Sequence, residues 1–181
     1  MIPTQQGGSG FAGEARVKMI DNTLKRAHEI RRGDVVWTLI GGSVVEFAIE
    51  FGSTDDTQPM TQVGSLRITP HHPIIHKGQW VFPSDLFGYT DHAVSTVYNF
   101  VLEKGHVIQV EDIDCCTLAH GFRGPVIEHE FFGTRKCVNS LRTQPGFVEG
   151  RPVFTHCVAI PQKTGLIGDW VDLYKDTSFH E

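Results

Sequence analysis

Glycine and proline interrupt this chain so often that little room is left for long helices. The sequence contains 19 Gly and 9 Pro, and short runs rich in Val, Ile, Thr and aromatic residues lie between them. Runs of these residue types between turn-forming residues are typical of β-strands. The sequence therefore predicts a mainly β protein, with strands at residues 15–19, 35–39, 44–51, 65–69, 80–82, 96–102, 107–110, 115–118, 126–129 and 153–159.

Four segments outside these strands carry local signals. Residues 21–23 (Asp-Asn-Thr) predict a turn, because Asx side chains bond to nearby backbone groups. Residues 24–32 have helical propensity, but the run is short and a Gly-Asp pair follows it, which favours a strand and a turn. Residues 52–63 are polar and acidic, so an exposed connection is predicted. The apolar spacing in residues 163–181 suits one short helix.

Length and charge narrow the classes of function. The chain of 181 residues is predicted to form one domain, large enough to bury a core without metal or disulfides. Its formal charge is −5 and it has no basic run, which removes the attraction behind most nucleic-acid binding. Its apolar stretches are far shorter than the roughly 20 residues that span a bilayer, and residues 1–10 lack the regions of a signal peptide. We expect a cytoplasmic monomer that binds neither nucleic acid nor membrane.

The cysteine and histidine patterns do not predict a metal or a cofactor. The four cysteines include no CxxC pair, and the adjacent thiolates of Cys115 and Cys116 cannot reach one tetrahedral ion without strain. Their irregular spacing is also unlike a disulfide framework, so a reducing compartment is expected. His71, His72 and His76 leave a metal-dependent hydrolase as a distant alternative, although His71 and His76 are expected at the surface.

Three separated segments carry a resemblance to a known family. They span residues 8–38 (GSGFAGEARVKMIDNTLKRAHEIRRGDVVWT), 66–86 (LRITPHHPIIHKGQWVFPSDL) and 97–122 (VYNFVLEKGHVIQVEDIDCCTLAHGF). Together they resemble the Hint domain, the autoprocessing module shared by inteins and hedgehog C-terminal domains. The continuation at residues 128–141 (EHEFFGTRKCVNSL) is similar to the Vint subfamily, the Hint-like domains attached to von Willebrand factor type A modules in eukaryotes.

The resemblance implies a fold and a domain organisation. The expected fold is a compact all-β horseshoe of short strands with pseudo-two-fold symmetry. Residues 1–9 would be a flexible, extein-like leader, and residues 10–122 the Hint core. Residues 123–181 would be a C-terminal extension packed on that core as part of one folded unit, because their apolar side chains would otherwise be exposed.

The resemblance also implies a self-cleavage reaction. In the family, an N-terminal Cys thiol attacks the preceding carbonyl in an N-to-S acyl shift, assisted by a Thr-x-x-His motif. Here Thr69 would orient the scissile amide and His72 would protonate its nitrogen. Pro73 favours an extended conformation at His72, which places both groups on a turn. The alternative is that both residues only support that turn. We expect Thr69, His72 and His106 to converge on the backbone around Gly10.

Later positions of the family pattern are also present in the sequence. By resemblance His106 would assist the second step, or it is a half-buried strand histidine. His120 is followed by Gly121 where inteins have an Asn that cyclises, so complete splicing is not expected. Cys115 or Cys116 stands near the position of a late hedgehog cysteine and could accept the acyl group. Both thiols could equally be small buried hydrophobes.

The largest departure from the family is Gly10, which stands where the family has Cys. Three explanations stay open: a deliberate substitution, natural loss of activity, or a role for Ser9; the intact remaining motif favours the first. The leading hypothesis is an autoprocessing domain that acts on its own flanking polypeptide in cis and stays uncut as written, whereas Gly10→Cys restores thiol-sensitive cleavage. The alternative is a protein-interaction module that keeps only the fold and uses Phe100, Phe122, Phe131 and Phe132.

Overall fold

Short strands make up most of the computed structural model, which describes residues 9–161 and 167–172. The strands are β1 (Phe11–Ala12), β2 (Arg16–Lys18), β3 (Leu24–Arg26), β4 (Val35–Thr38), β5 (Gly41–Gly52), β6 (Gln58–Val63), β7 (Leu66–Ile68), β8 (Ile74–His76), β9 (Gln79–Val81), β10 (Thr90–His92), β11 (Thr96–Leu102), β12 (Val107–Val110), β13 (Ile113–Cys116), β14 (Val153–Phe154), β15 (Cys157–Pro161) and β16 (Ile167–Asp172). The helices are a 3-10 turn (Ala27–Glu29), α1 (Pro83–Phe87) and α2 (Arg135–Asn139). The all-β class that the sequence predicts is confirmed.

One large sheet organises the described part of the chain. The sheet contains fourteen of the strands named above. Eleven of them follow the order β10-β6-β7-β1-β11-β5-β4-β12-β13-β8-β9, and β2, β3 and β14 pair with strands of this path or with each other at the side. The longest pairing is antiparallel and joins β5 to β11. Strands β15 and β16 form a separate hairpin. Neither α1 nor α2, the α-helices found in the described residues, is long and apolar enough to cross a membrane.

The short strand β1 carries the start of the described chain into the middle of this sheet. Phe11 pairs with Tyr98 of β11 on one side and with Ile68 of β7 on the other. Its side chain is fully buried, and its ring stacks 6.3 Å from that of Phe100. Burial of one such aromatic side chain stabilises a fold by about 1.5–3 kcal/mol. This anchor holds the two preceding residues, at 9 and 10, against the end of β7 and the middle of β11.

Two clusters of buried side chains lie on the sheet. The first surrounds β1 and contains Phe11, Val17, Val45, Leu66, Phe100 and Ile108. The second joins the sheet to the C-terminal third of the described chain. There Phe51 packs with its ring centroid 5.4 Å from that of Phe154 and 4.7 Å from that of Trp170, and Phe131 also contacts Trp170. The segments after residue 122 thus bury their aromatic side chains against β5.

Two predicted elements are wrong. Residues 126–129 form the end of a turn and irregular backbone instead of a strand, because Val126 adopts a positive φ of 70° and the Ile127 amide bonds back to the Pro125 carbonyl. Residues 163–181 were expected to hold a helix, but β16 is a strand that pairs with β15. Residues 163–166 and 173–181 of that expected helix lie outside the described residues, as does most of the predicted leader.

The segment at residues 52–63 is only partly the exposed connection that its polarity predicts. Its second half is β6, which pairs with both β7 and β10. The Gln58 side chain is buried and donates to the Val94 carbonyl, and Met60 fills the second cluster. The turn at residues 21–23 is confirmed, since Asp21 Oδ1 accepts a bond from the Thr23 amide.

Candidate active site

The peptide bond between Ser9 and Gly10 is held at both of its polar ends. The Gly10 amide donates to the hydroxyl of Thr69 at 3.0 Å. At the other end, the Asn99 side-chain amide donates to the Ser9 carbonyl oxygen at 3.0 Å. The Asn99 Oδ1 atom accepts from the Phe100 amide at 2.8 Å, which assigns the orientation of the amide group. Thr69 and Asn99 are both buried, so these bonds form largely out of water.

Strand β7 and the turn after it place Thr69 and His72. The Thr69 amide donates to the Gly10 carbonyl at 3.0 Å, continuing the pairing of β7 with β1 beyond its last residue. The His72 amide then donates to the Thr69 carbonyl at 3.2 Å, which closes a turn. Pro73 disfavours helical angles at His72, so the turn does not extend into a helix. Both side chains therefore face the Ser9–Gly10 segment.

His72 has one partner on each ring nitrogen. Its Nε2 lies 2.7 Å from the Cys116 carbonyl oxygen and its Nδ1 lies 3.3 Å from the Ser9 hydroxyl. Because a carbonyl can only accept, Nε2 is assigned as the protonated nitrogen and Nδ1 as the acceptor. The ring also contacts Phe11, with centroids 4.6 Å apart. The hydrogen bonds and the packing fix one tautomer and one orientation.

Burial sets the charge of His72. The side chain is almost completely inaccessible to solvent. Burial lowers the pKa of His72 to about 4, although the Cys116 carbonyl acts in the opposite direction. The imidazole is therefore neutral at pH 7 and offers an unprotonated Nδ1 to the Ser9 hydroxyl. A neutral imidazole of this kind can take a proton but has none to donate at Nδ1.

Gly10 is packed too closely to hold a side chain in this conformation. A Cβ placed on Gly10 would collide with the Tyr98 carbonyl oxygen and lie 2.8 Å from its carbonyl carbon. The obstacle is backbone of β11, so no rotamer change removes it. The Gly10→Cys substitution considered from the sequence therefore requires β1 to shift against β11. The position lacks both a nucleophile and the space for one.

His106 and His120 both contact Phe122, and His120 also acts electrostatically on His72, whose pKa it lowers. His106 accepts a bond from the Thr117 amide with its carbonyl, and its ring meets the edge of Phe122 with centroids 6.2 Å apart. His120 Nδ1 accepts from the Phe122 amide at 2.9 Å, and its ring stacks on Phe122. Thr69, by contrast, contacts Gly10, and His72 contacts Ser9. Among the described residues, no hydrogen bond or ring contact joins His106 to Gly10.

Cys115 and Cys116 contribute differently from what their chemistry suggests. Both side chains are buried in β13, and Cys115 belongs to the first cluster. Burial raises the pKa of both thiols, which disfavours the reactive thiolate. The backbone carbonyl of Cys116, and not its thiol, contacts His72. This packing favours the interpretation of both as small buried hydrophobes.

The structure adds Asn99 to the site, which the sequence analysis missed. Asn99 is the one amide in the run Thr96–Leu102, and it is almost fully buried. A buried polar group needs hydrogen-bond partners, so an Asn inside a strand of buried apolar residues is the signal that could have identified it. The described residues contain no group of three or more His, Cys, Asp or Glu side chains arranged to hold a metal ion.

Comparison with known proteins gives a family and, among solved structures, matches at low identity. The family model described as Vint, Hint-domain, matches residues 9–169. Among solved structures, the gp41-1 intein is similar at 11% identity and a TM-score of 0.48, covering 61% of this chain and 99% of the intein. The DnaB intein from Synechocystis sp. PCC 6803 is similar at 10% identity and a TM-score of 0.49, covering 61% and 99%. No curated protein matches the sequence.

Proposed function

The chain belongs to the Vint family of Hint domains, and from that premise we propose that it is an autoprocessing-type domain which binds its own N-terminal backbone in cis. The observation that carries this proposal is the double hold on the Ser9–Gly10 peptide bond. Thr69 accepts from its N–H and Asn99 donates to its C=O. These are the two groups whose charge changes most when a nucleophile adds to an amide carbonyl.

Each contact has a role in activating the bond. Negative charge develops on the carbonyl oxygen during addition, and a fixed donor there stabilises it. Asn99 Nδ2 is that donor at the Ser9 carbonyl. Thr69 orients the amide nitrogen of Gly10, which would leave when the bond breaks. The site therefore combines an oxyanion donor with control of the leaving nitrogen.

The thioester step of the family has no nucleophile at position 10. An N-to-S acyl shift needs a thiol on the residue that follows the scissile carbonyl, and Gly10 has no side chain. We propose that the Ser9–Gly10 bond is bound but not cleaved in this chain. Intact mass spectrometry in dithiothreitol is expected to show no product beginning at Gly10.

Hydrogen exchange of the Gly10 amide tests binding in cis. That amide donates to a buried hydroxyl, so its exchange is expected to be slow in the full chain. Thr69→Ala is expected to speed its exchange by about fivefold, corresponding to the ~1 kcal/mol of one hydrogen bond. Thr69→Ser keeps the hydroxyl and is the matched control. Fast exchange in the parent, or equal exchange in the two variants, contradicts the proposal.

Gly10→Cys tests the chemistry. If β1 can move enough to admit the side chain, thiol-sensitive cleavage before residue 10 should appear. It should be slow, because β1 must first shift away from the Tyr98 backbone to make room for the thiol. Adding Thr69→Ala should abolish it. A folded Gly10→Cys protein that stays uncut, with fast exchange at the residue-10 amide, favours the alternative of an interaction module.

The interaction-module alternative is favoured by one exposed patch. Leu86, Phe87 and Tyr89 are 47%, 48% and 46% exposed in and after α1. The phenylalanines first considered for this role serve it poorly, since Phe100 and Phe131 are buried. Alanine substitutions in the patch should leave the Gly10 amide protected under either function, so only a loss of partner binding would identify the module.

The compartment, the oligomeric state and the partners of the protein are the last parts of the proposal. We propose a monomer in a reducing, cytoplasmic environment that acts on its own polypeptide without nucleic acid or membrane. The four cysteines are buried and free, which is consistent with a reducing compartment. We also propose that the extension after residue 122 and the Hint core form one unit. Rapid proteolysis between residues 122 and 130 that leaves a stable N-terminal fragment would contradict this.

A further inference from the structure

We propose that His72 selects the residue that precedes the held peptide bond, and that it favours a hydroxyl side chain there, as in Ser or Thr. In this chain that residue is Ser9. The inference rests on the proposed function and deepens it, because it names the class of junction that the site binds. His72 then determines specificity, whether or not the bond is broken.

The side chain at position 9 begins at a fixed place in the site. Asn99 donates to the Ser9 carbonyl oxygen at 3.0 Å, and the Thr69 hydroxyl accepts from the Gly10 amide at 3.0 Å. These two bonds hold one peptide plane, and that plane contains the Cα atom of Ser9. Any side chain at position 9 therefore starts from the same point near the imidazole of His72.

The imidazole of His72 presents one nitrogen to that side chain. Its Nδ1 lies 3.3 Å from the Ser9 hydroxyl, and its Nε2 lies 2.7 Å from the Cys116 carbonyl oxygen. A half-turn of the ring would place carbon atoms at both contacts, and the ring of Phe11 packs against it with centroids 4.6 Å apart. The Cys116 carbonyl thus keeps the proton on Nε2 and leaves Nδ1 as an acceptor.

An acceptor nitrogen at this depth discriminates between side chains. His72 is almost completely buried, so water does not readily replace a lost partner on Nδ1. An apolar side chain at position 9 would leave this nitrogen unpaired, which is costly for a buried polar atom. A carboxylate can only accept, so it would face the lone pair of a neutral imidazole. A hydroxyl on Cβ supplies the missing donor.

The length of the side chain limits the choice further. The Ser9 hydroxyl oxygen is bonded to Cβ and already lies within hydrogen-bond distance of Nδ1. The amide donors of Asn and Gln and the ammonium group of Lys lie one or more bonds further from Cα, and a thiol is a weak donor. The contact therefore fits Ser and Thr better than the other donor side chains.

The next position shows a different kind of constraint. A Cβ atom on Gly10 would collide with the backbone of Tyr98, so every side chain is excluded there alike. At position 9 a side chain is admitted and meets a single polar atom of His72. Discrimination by chemical type within this pair of residues thus belongs to position 9.

Amide hydrogen exchange of the full chain at pH 7 tests the selection with matched variants. Ser9→Val has the shape of Ser9→Thr without the hydroxyl, and Ser9→Ala removes the hydroxyl without adding bulk. In Ser9→Ala and Ser9→Val the Gly10 amide should exchange about 5- to 150-fold faster than in the parent, which corresponds to the 1–3 kcal/mol of an unpaired buried acceptor. Ser9→Thr should stay close to the parent.

Two further measurements separate selection from a general loss of stability. The Val45 amide donates to the Asp34 carbonyl at 2.9 Å, and its exchange should be the same in all variants. The nitrogen NMR resonance of His72 Nδ1 depends on whether its lone pair accepts a hydrogen bond. It should move in Ser9→Ala and Ser9→Val and return to the parent position in Ser9→Thr.

The outcomes distinguish this inference from the proposed function. Slow exchange of the Gly10 amide in Ser9→Ala overturns the selection, as does equal exchange in Ser9→Thr and Ser9→Val. An Nδ1 resonance of His72 that is the same in Ser9→Ala and in the parent also overturns it. In each of these cases a protected Gly10 amide in the parent leaves binding in cis intact. Fast exchange of that amide in the parent contradicts binding in cis itself.

Discussion

Buried histidines at two places in this molecule differ in the group that contacts their Nδ1 atom. His72 lies beside the N-terminal backbone, and its Nδ1 faces the Ser9 hydroxyl. His120 lies in the loop after β13, and its Nδ1 accepts from the Phe122 amide two residues later. Burial lowers the pKa of both to about 4. Electrostatics therefore does not separate them, whereas the partner of Nδ1 does.

The difference shows two uses of the same side chain. His129 repeats the pattern of His120, since its Nδ1 accepts from the amides of Phe131 and Phe132. In both cases the imidazole replaces the Asx side chain that usually supports a turn. At His72 the same nitrogen is left for a side chain from another part of the chain. A lowered pKa shows only that a histidine is buried. The group bound to its acceptor nitrogen distinguishes a histidine that supports a turn from one that can take part in a reaction.

The largest expected effect is on the cleavage rate, which should depend much more on His72 than on His120. In the Gly10→Cys background, His72→Gln should lower the cleavage rate by about 10²- to 10⁴-fold, because Gln keeps a donor for the Cys116 carbonyl but provides no base at Nδ1. His120→Asn keeps an acceptor for the Phe122 amide and should change the rate far less, because His120 lowers the pKa of His72 only when it is charged and, with a pKa of about 4, it is neutral at pH 7. Mass spectrometry of time points measures both rates. Equal losses in the two variants would remove the distinction between the groups.

Stability against pH is expected to show what the two groups share. A histidine with pKa 6.5 when unfolded and about 4 when folded binds more protons in the unfolded state between these values. Stability is then fully present above about pH 6.5 and lost as the pH falls towards 4. For His72 the loss is about 3 kcal/mol at 1.36 kcal/mol per pKa unit.

Urea unfolding at several pH values measures this loss. His72→Gln and His120→Asn should each reduce the dependence of unfolding free energy on pH, since both remove a group with a lowered pKa. Ser65→Ala, on an exposed turn, is the matched control and should keep the parent slope. A parent whose stability does not change between pH 7 and 4.5 would show that neither imidazole is buried as described.

The sequence predicted the scaffold better than the site. Short strands follow from Gly and Pro spacing, and β11 and β12 begin and end where the residue types predicted. Thr69 and His72 were found because their motif is local, and a turn brings them together. Asn99 and the Cys116 carbonyl were missed, because strand pairing across the sheet brings them to the site. Local sequence patterns do not predict which strands pair. The exclusion of a side chain at Gly10 likewise depends on β11.

Glycine substitutions should give a smaller difference between the two groups. Gly10→Ala places a methyl group against the backbone of β11 and should destabilise the fold by about 1–3 kcal/mol, as overpacking does. Gly121, next to His120, has open space around it but a φ of 72°, so Gly121→Ala should cost about 1 kcal/mol from strain alone. Urea midpoints at pH 7 measure both. A Gly10→Ala protein as stable as the parent would show that position 10 can hold a side chain after all.

The smallest expected effect concerns turn support at His129. His129→Ala leaves the amides of Phe131 and Phe132 without their acceptor, and each hydrogen bond contributes about 0.5–1.5 kcal/mol. Because the loop is partly accessible, water can replace some of this, and a net loss of about 1 kcal/mol is expected. His129→Asn places an oxygen where Nδ1 stood and should recover most of the loss. If Asn and Ala are equally destabilising in urea, the ring packing of His129 on Phe132 matters more than its acceptor nitrogen, and the assignment of this group as turn supports does not hold for His129.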